Sequence, residues 1–270
     1  MDDAKTQIIE IFSKKVKGRQ PDVRGANSKH DGAKGHWLEM QFGIAHNADN
    51  EPDLFGYELK NQTTSNKTTF GDWSANEYIF NDPQYSDVFV GKTAIQRRDR
   101  FLEIFGKPNI EKAGRLSWSG EPCPKIGKYN AFGQILVVRS NNDIVAEYSY
   151  SADRRENKAD VVPKKLQQEH LVLALWYGDS VPAGKKGKCL KRKVEDKFNQ
   201  HGWFTCKTDA NGVYNQICFG APMCFDNWIA LVKKGIVFFD SGMYQGNKRP
   251  YSQWRASNNY WDGLIIETVD

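Results

Sequence analysis

The chain has no apolar run long enough to cross a bilayer, no CxxC pair, no apolar segment behind its first residues and no complete phosphate loop. Each absence removes a class of protein. A transmembrane helix needs about 20 largely apolar residues in succession, so no membrane span is expected. Met1-Asp2-Asp3-Ala4-Lys5 starts acidic and leads into no hydrophobic core of a signal peptide, so a soluble, cytoplasmic protein is expected. The Asn61-Gln62-Thr63 and Asn66-Lys67-Thr68 sequons then carry no meaning. Cys123, Cys189, Cys206, Cys218 and Cys224 are odd in number and unpaired in spacing. They indicate neither a disulfide framework nor a zinc site, and reduced thiols are the simpler account. Gly91-Lys92-Thr93 suggests a phosphate loop, but that motif needs a glycine five positions earlier, where Ser86 stands. The five histidines, His30, His36, His46, His170 and His201, show no metal-ligand spacing. There is no internal repeat or low-complexity tract.

What remains is 270 residues with a formal net charge of +5 and a pI near 8.8. The length allows one large domain or two lobes. The mildly basic balance favours a polyanionic partner.

The segment Glu51-Pro52-Asp53-Leu54-Phe55-Gly56-Tyr57-Glu58-Leu59-Lys60 concentrates the chemistry. In a strand from Tyr57 to Gln62, Glu58 and Lys60 project from one face while Tyr57, Leu59 and Asn61 take the other. Asp53 precedes Glu58 by an odd offset, so it joins them only if the chain bends. Gly56 offers the freedom for a bend, and Pro52 restrains the approach. Two close carboxylates repel, and a divalent cation removes the conflict. Hard oxygen donors favour Mg2+, whose retained waters include the attacking nucleophile. Lys60 could orient or deprotonate that water and offset charge at phosphorus. The same decapeptide also reads as an exposed strand with an ordinary i,i+2 Glu/Lys pair, and from these residues alone both readings stand.

Elsewhere the pattern predicts alternating helices and strands. Ile8, Ile9, Phe12 and Val16 mark an amphipathic helix ending near Gly18, and Gly18–Gly35 reads as a loop. Lys34 to Ala45 reads as a largely buried helix through Trp37, Leu38, Met40, Phe42 and Ile44, with Glu39 on its polar remainder. Thr63–Lys67 is expected to turn into a short strand, Thr68–Phe70, forming a hairpin with the Glu58 strand. A helix over Lys92–Phe105 is expected to bury Ile95, Phe101, Leu102 and Phe105 and to present Arg97, Arg98 and Arg100 outward. Ser117–Trp118, Gln134–Arg139, Ile144–Tyr150 and Leu171–Tyr177 read as strands, the middle two joined at Asn141-Asn142. Beyond Gly178 the basic run Pro182–Lys193 precedes strands near Gly202–Lys207, Tyr214–Phe219 and Ile236–Ser241 and one helix, Phe225–Lys234. This suggests a catalytic lobe over residues 1–178 and an appended region over 179–270.

Two basic stretches are candidate nucleic-acid contacts. Lys185, Lys186 and Lys188 in the run Gly184–Lys193, with Arg97 and Arg98, suit phosphate contacts, though a solvated loop explains the run as well. Gly242 to Arg255 mixes Asn247, Lys248, Arg249, Gln253 and Arg255 with aromatics. Arginine reads guanine and Asn or Gln reads adenine, so this stretch is equipped for base recognition, beside the alternative of an ordinary polar loop.

Gly35-His36-Trp37-Leu38-Glu39-Met40-Gln41-Phe42-Gly43-Ile44, followed by Pro52-Asp53-Leu54, Tyr57-Glu58-Leu59-Lys60 and Thr68-Thr69-Phe70, resembles the N-terminal core of the BcnI/MvaI restriction endonucleases. These are MutH-like members of the PD-(D/E)xK superfamily. The resemblance implies an α/β (α+β) fold with a mixed central sheet flanked by helices, in two lobes with a DNA cleft between them. It implies Asp53 and Glu58 as metal ligands, the Leu59 carbonyl as a further ligand, Lys60 as the water-positioning residue and Glu39 as an additional acidic group. It also implies a bacterial or archaeal type II restriction endonuclease, Mg2+-dependent and acting as a monomer on double-stranded DNA, with a cognate DNA methyltransferase encoded nearby. Arg249-Pro250-Tyr251-Ser252-Gln253-Trp254-Arg255 lacks the histidine of the family's corresponding loop, which bears on the target; a CC-N-GG type of site is the expectation. A repair nickase of the MutH kind and a DNA-binding protein that has lost activity are the alternatives.

Overall fold

The spacing of Ile8, Phe12 and Val16 puts three fully buried side chains on one stripe of the first helix, and the chain leaves that helix at Gly18, with φ 76°. The structure, a computed structural model, describes residues 3–22, 32–45, 50–62 and 65–270. In chain order its elements are α1 (Asp3–Lys15), α2 (Ala33–Phe42), β1 (Tyr57–Leu59), β2 (Lys67–Asp72), β3 (Glu77–Tyr78), α3 (Ala94–Phe105), β4 (Lys107–Asn109), β5 (Arg115–Ser117), β6 (Phe132–Val138) and β7 (Ile144–Asp153). There follow α4 (Lys158–Val161), β8 (Leu171–Trp176), α5 (Leu190–Phe198), β9 (Gly202–Thr208), β10 (Tyr214–Gly220), α6 (Phe225–Lys233), β11 (Phe238–Ser241), β12 (Ser252–Ser257), α7 (Asn258–Asp262) and β13 (Ile265–Val269). No described helix is long and apolar enough to cross a membrane.

Two compact units interleave along the chain. The first takes Met1–Thr69, Lys193–Trp228 and Ala256–Asp270, the second Phe70–Arg192 and Ile229–Arg255. A single division between residues 178 and 179 coincides with neither, because β9, β10 and β13 join the sheet that β1 begins.

In the first unit that sheet runs β1-β9-β10-β13, with β1 parallel to β9 and the other pairs antiparallel. Tyr57 and Leu59 of β1 meet Phe12, Trp37, Leu38, Phe42, Phe204 and Phe219 in one apolar core. By the alternation of a strand, Glu58 and Lys60 are left to the opposite face.

The second unit holds an antiparallel sheet, β3-β8-β7-β6, with β6 and β7 joined through Asn142 at φ 60°, as the Asn141-Asn142 turn predicts. Its core is aromatic: Trp118 meets Phe101 and Phe239 edge-on, and Trp176 meets Trp254 in the same way. Trp118 Nε1 donates to Gln134 Oε1 at 2.6 Å, which satisfies a donor that burial would otherwise strand. Gly91-Lys92-Thr93 serves a structural end. Thr93 caps α3, its hydroxyl accepting from Gln96 N while Gln96 Oε1 accepts from Thr93 N, a capping box.

Four expectations are corrected. β2 forms no hairpin with β1; it pairs in a sheet ordered β11-β12-β2, and β1 pairs with β9 instead. Arg98 is buried on α3 and Ile95 exposed, since Arg98, Phe101, Leu102 and Phe105 fall on one helical stripe. Met40 is 53% exposed on α2, while Trp37, Leu38 and Phe42 carry its burial. The end of the basic run, from Leu190, is helix α5 rather than loop. Residues 23–31 of the expected Gly18–Gly35 loop, and Thr63 and Thr64 of the expected turn, lie outside the described residues.

Candidate active site

The bend begins with a two-residue turn. Leu54 and Tyr57 exchange backbone hydrogen bonds of 3.0 and 2.8 Å around Phe55, at φ 49°, and Gly56, at φ 81°. Two left-handed residues in succession make a turn that matches strand twist. Gly56 is required twice over. Its φ penalises any Cβ, and a Cβ there would stand 2.4 Å from His201 Cδ2. His201 donates its own backbone N–H to Gly56 O at 3.1 Å and stacks on Tyr57.

The turn folds Asp53 back along β1, where its Oδ2 accepts the Leu59 N–H at 3.0 Å. That bond occupies the edge of β1 away from β9, since the next amide, Lys60 N, donates to Phe204 O. A side chain thus fills the place a hairpin partner would take.

Glu58 is 3% exposed. Its Oε1 accepts from Lys60 Nζ at 2.8 Å and from Lys197 Nζ at 2.9 Å. Its Oε2 is buried and has no hydrogen-bond partner among the described residues. The Lys60 ammonium also lies 5.2 Å from the Phe198 ring centroid. Burial, and after it the Glu58 charge, pushes the Asp53 carboxyl up to about 7. Burial draws the Lys60 ammonium below its ordinary range, against the pull of Glu58.

These residues suit a hard divalent cation. A buried carboxylate oxygen without a donor is costly unless an unbound partner completes it, and a carboxyl held up by burial and by its neighbour's charge is relieved by a cation. Among the described residues no group of three or more His, Cys, Asp or Glu converges, so protein carboxylates would supply only part of a coordination shell. Mg2+ is commonly held in that way, by one or two carboxylates with water and phosphate oxygens completing the shell.

The sequence-predicted residues separate cleanly. Asp53, Glu58, Leu59 and Lys60 come together in the first unit. Glu39 sits on α2 with its carboxylate 3.6 Å from His36 Nδ1. Every expected nucleic-acid contact falls in the second unit. Arg97 donates to Gly91 O and Asn81 Oδ1 at 3.3 and 3.2 Å. Arg98 is 2% exposed, and its Nε and Nη2 have no partner among the described residues. Lys185 pairs with Glu77 at 2.7 Å, while Lys186 and Lys188 are exposed. Asn247 is buried, its Oδ1 accepting from Tyr244 N and its Nδ2 without a partner among the described residues; Lys248 beside it is exposed. Arg249 pairs with Asp72 at 2.9 Å. Gln253 and Arg255 lie on β12, hydrogen-bonded to each other, with Arg255 also 3.3 Å from Asp240.

Lys197 is the site residue that sequence reading missed. Its signal was present, because Leu190, Val194 and Phe198, all fully buried, recur at helical spacing from the end of the basic run to just beyond it.

Residues 16–269 match the LlaMI restriction endonuclease family. The chain is 58% identical over 268 residues to the type II restriction enzyme ScrFI of Lactococcus lactis subsp. cremoris, covering 99% of each. Its fold resembles that of the restriction endonuclease MvaI in complex with cognate DNA, with a TM-score of 0.59 at 12% identity over 100% of this chain and 98% of that one. The mixed α+β architecture is thus consistent with a PD-(D/E)xK-like fold. By the family match across nearly its whole length and the identity to a full-length relative, the chain belongs to the LlaMI restriction endonuclease family and is a type II restriction endonuclease.

Proposed function

We propose that the chain hydrolyses duplex DNA at a specific sequence with Mg2+ as cofactor, leaving 5′-phosphate and 3′-hydroxyl ends. The observation that carries this is the convergence of Asp53, Glu58 and Lys60 on one bent strand, with Glu58 Oε2 buried and without a donor among the described residues. Asp53 and Glu58 hold the ion. The Leu59 carbonyl is a further donor, since in a strand it points the same way as its N–H, toward Asp53. When bound, the metal supplies a Lewis acid and an activated water. Lys60 orients that water or takes its proton and offsets charge at phosphorus as the water oxygen attacks and the P–O3′ bond breaks. Glu39 acts as an outer acidic group, so its loss costs less than that of Asp53.

Lys185, Lys186, Lys188, Arg97 and Arg98 contact phosphates, while Asn247, Lys248, Arg249, Gln253 and Arg255 read the site from the 179–270 region, with a CC-N-GG type of target. The enzyme works as a monomer in the cytoplasm of a bacterial or archaeal cell that also encodes a cognate DNA methyltransferase. An inert DNA-binding protein would have no need to bring a half-buried Asp53 together with the buried Glu58 and Lys60. Digestion of a sequenced plasmid with Mg2+, followed by end mapping, tests activity, target and cut position at once. Cleavage without magnesium, or ends scattered over unrelated sequences, would refute the proposal.

A further inference from the structure

Glu58 Oε1 receives two ammonium groups, Lys60 at 2.8 Å and Lys197 at 2.9 Å. One cation is enough to balance a buried carboxylate. A second at the same oxygen repels the first, at short range and with little solvent to screen it. Such an arrangement persists where the surrounding structure fixes both groups. Lys60 belongs to the strand and donates its amide to Phe204 O. Lys197 belongs to the last turn of α5, which is anchored by Val194 and Phe198, both fully buried, with the Phe198 ring 6.2 Å from that of Trp261.

The two lysines are not equivalent. Lys60 is the one the catalytic reading needs at the attacking water, whereas Lys197 has no part in that motif. A Lys60 that was the sole counter-ion of a buried glutamate would be tied to it, because releasing the ammonium would leave an uncompensated buried charge. With Lys197 also on Oε1, Lys60 can turn to water and phosphate while Glu58 stays neutralised. Oε2, meanwhile, remains open for a cation. The pair of lysines also balances the two carboxylates, so a bound divalent ion makes the centre net positive and receptive to a phosphodiester.

We propose that Lys197 is a positioning residue of the catalytic centre, the standing counter-ion that holds Glu58 by Oε1 and thereby frees Lys60 for the reacting groups. The inference rests on the nuclease reading of Asp53, Glu58 and Lys60. It assigns Lys197 no contact with DNA.

The experiment combines single-turnover cleavage of a cognate duplex at saturating magnesium, duplex affinity by gel shift, and melting of the metal-free protein. Lys197→Met is expected to slow the cleavage step by about 100-fold, the scale of a misplaced catalytic group, with duplex affinity unchanged. Lys197→Arg, which keeps the charge, is expected to recover most of that loss. Lys197→Met should lower the melting temperature of the wild-type background but raise it or leave it unchanged beside Glu58→Gln, where it removes a cation that has lost its carboxylate. If Lys197→Met does not fold, Lys197→Gln carries the same comparisons. Cleavage at the wild-type rate by the neutral variant, or an equal melting loss in both backgrounds, would overturn the proposal. Failure of the wild-type protein to cut any duplex would instead remove the nuclease reading, with the melting comparison still reporting on the coupling of Lys197 to Glu58.

Discussion

The Leu59 amide donates to Asp53 Oδ2 at 3.0 Å, joining a carboxylate to the backbone six residues further on. The bond brings Asp53 beside Glu58 despite their odd spacing, and it caps the free edge of β1. It also sets a charge conflict, since Asp53 now titrates next to a second buried carboxylate.

Burial and that conflict together predict a pH dependence. The Asp53 carboxyl rises from 3.8 to about 7, so the folded state binds a proton that the unfolded chain releases. The associated stability is fully present below about 4 and is lost as pH rises to about 7. Three pH units correspond to at most ~4 kcal/mol. Metal-free protein should therefore melt lower at pH 8 than at pH 5 through this group, and Asp53→Asn should remove that part of the slope. Divalent cations compete with the same proton, so their stabilising effect should weaken below pH 7 and vanish in Asp53→Asn. A variant whose melting follows the wild-type pH profile would refute the assignment.

The turn predicts an asymmetry between neighbours. Gly56→Ala places a Cβ 2.4 Å from His201 at φ 81° and should destabilise the protein by ~1–2 kcal/mol or more, with cleavage falling as Asp53 loses its place. Phe55 stands at φ 49° and is 46% exposed, so Phe55→Asn, a residue that tolerates this conformation, should be neutral or mildly stabilising. Denaturant melts of the two variants check the contrast, and equal losses would count against it.

Arg98 offers a test of the DNA-facing side of the account. It is 2% exposed, and two of its guanidinium nitrogens lack partners among the described residues. Buried guanidinium nitrogens left without acceptors are costly, so Arg98→Met should raise the stability of the free protein by ~1 kcal/mol or more. If the guanidinium meets DNA, the same change should weaken cognate binding by ~1–3 kcal/mol. Melting and gel shift separate the two effects; an unchanged affinity would remove Arg98 from the DNA contacts.

The sequence carried the local chemistry well and the long-range pairing poorly. Alternation along β1 placed Glu58 and Lys60 on one face, and the need for Gly56 to bend the chain was visible in the odd offset of Asp53. The hairpin with β2 was wrongly expected, because nothing local announces that an aspartate side chain will occupy the strand's open edge. Arg98 was misplaced because charge suggested an outward face, whereas the stripe shared with Phe101, Leu102 and Phe105 places it inside. Lys197 lay just beyond a basic run whose lysines obscured the apolar spacing of Leu190, Val194 and Phe198. Its partnership with Glu58 depends on α5 and β1 meeting in the folded unit, which spacing alone does not encode.

The central claim is that Asp53, Glu58 and Lys60 form the centre that cuts DNA. The most direct measurement is plasmid digestion with magnesium by Lys60→Ala and Asp53→Ala, each checked for duplex binding by gel shift. The account predicts cleavage reduced by about 1,000-fold or more with binding still measurable, a loss of the size expected when a group acting only on the reacting atoms is removed. Either variant cutting at the wild-type rate would contradict it.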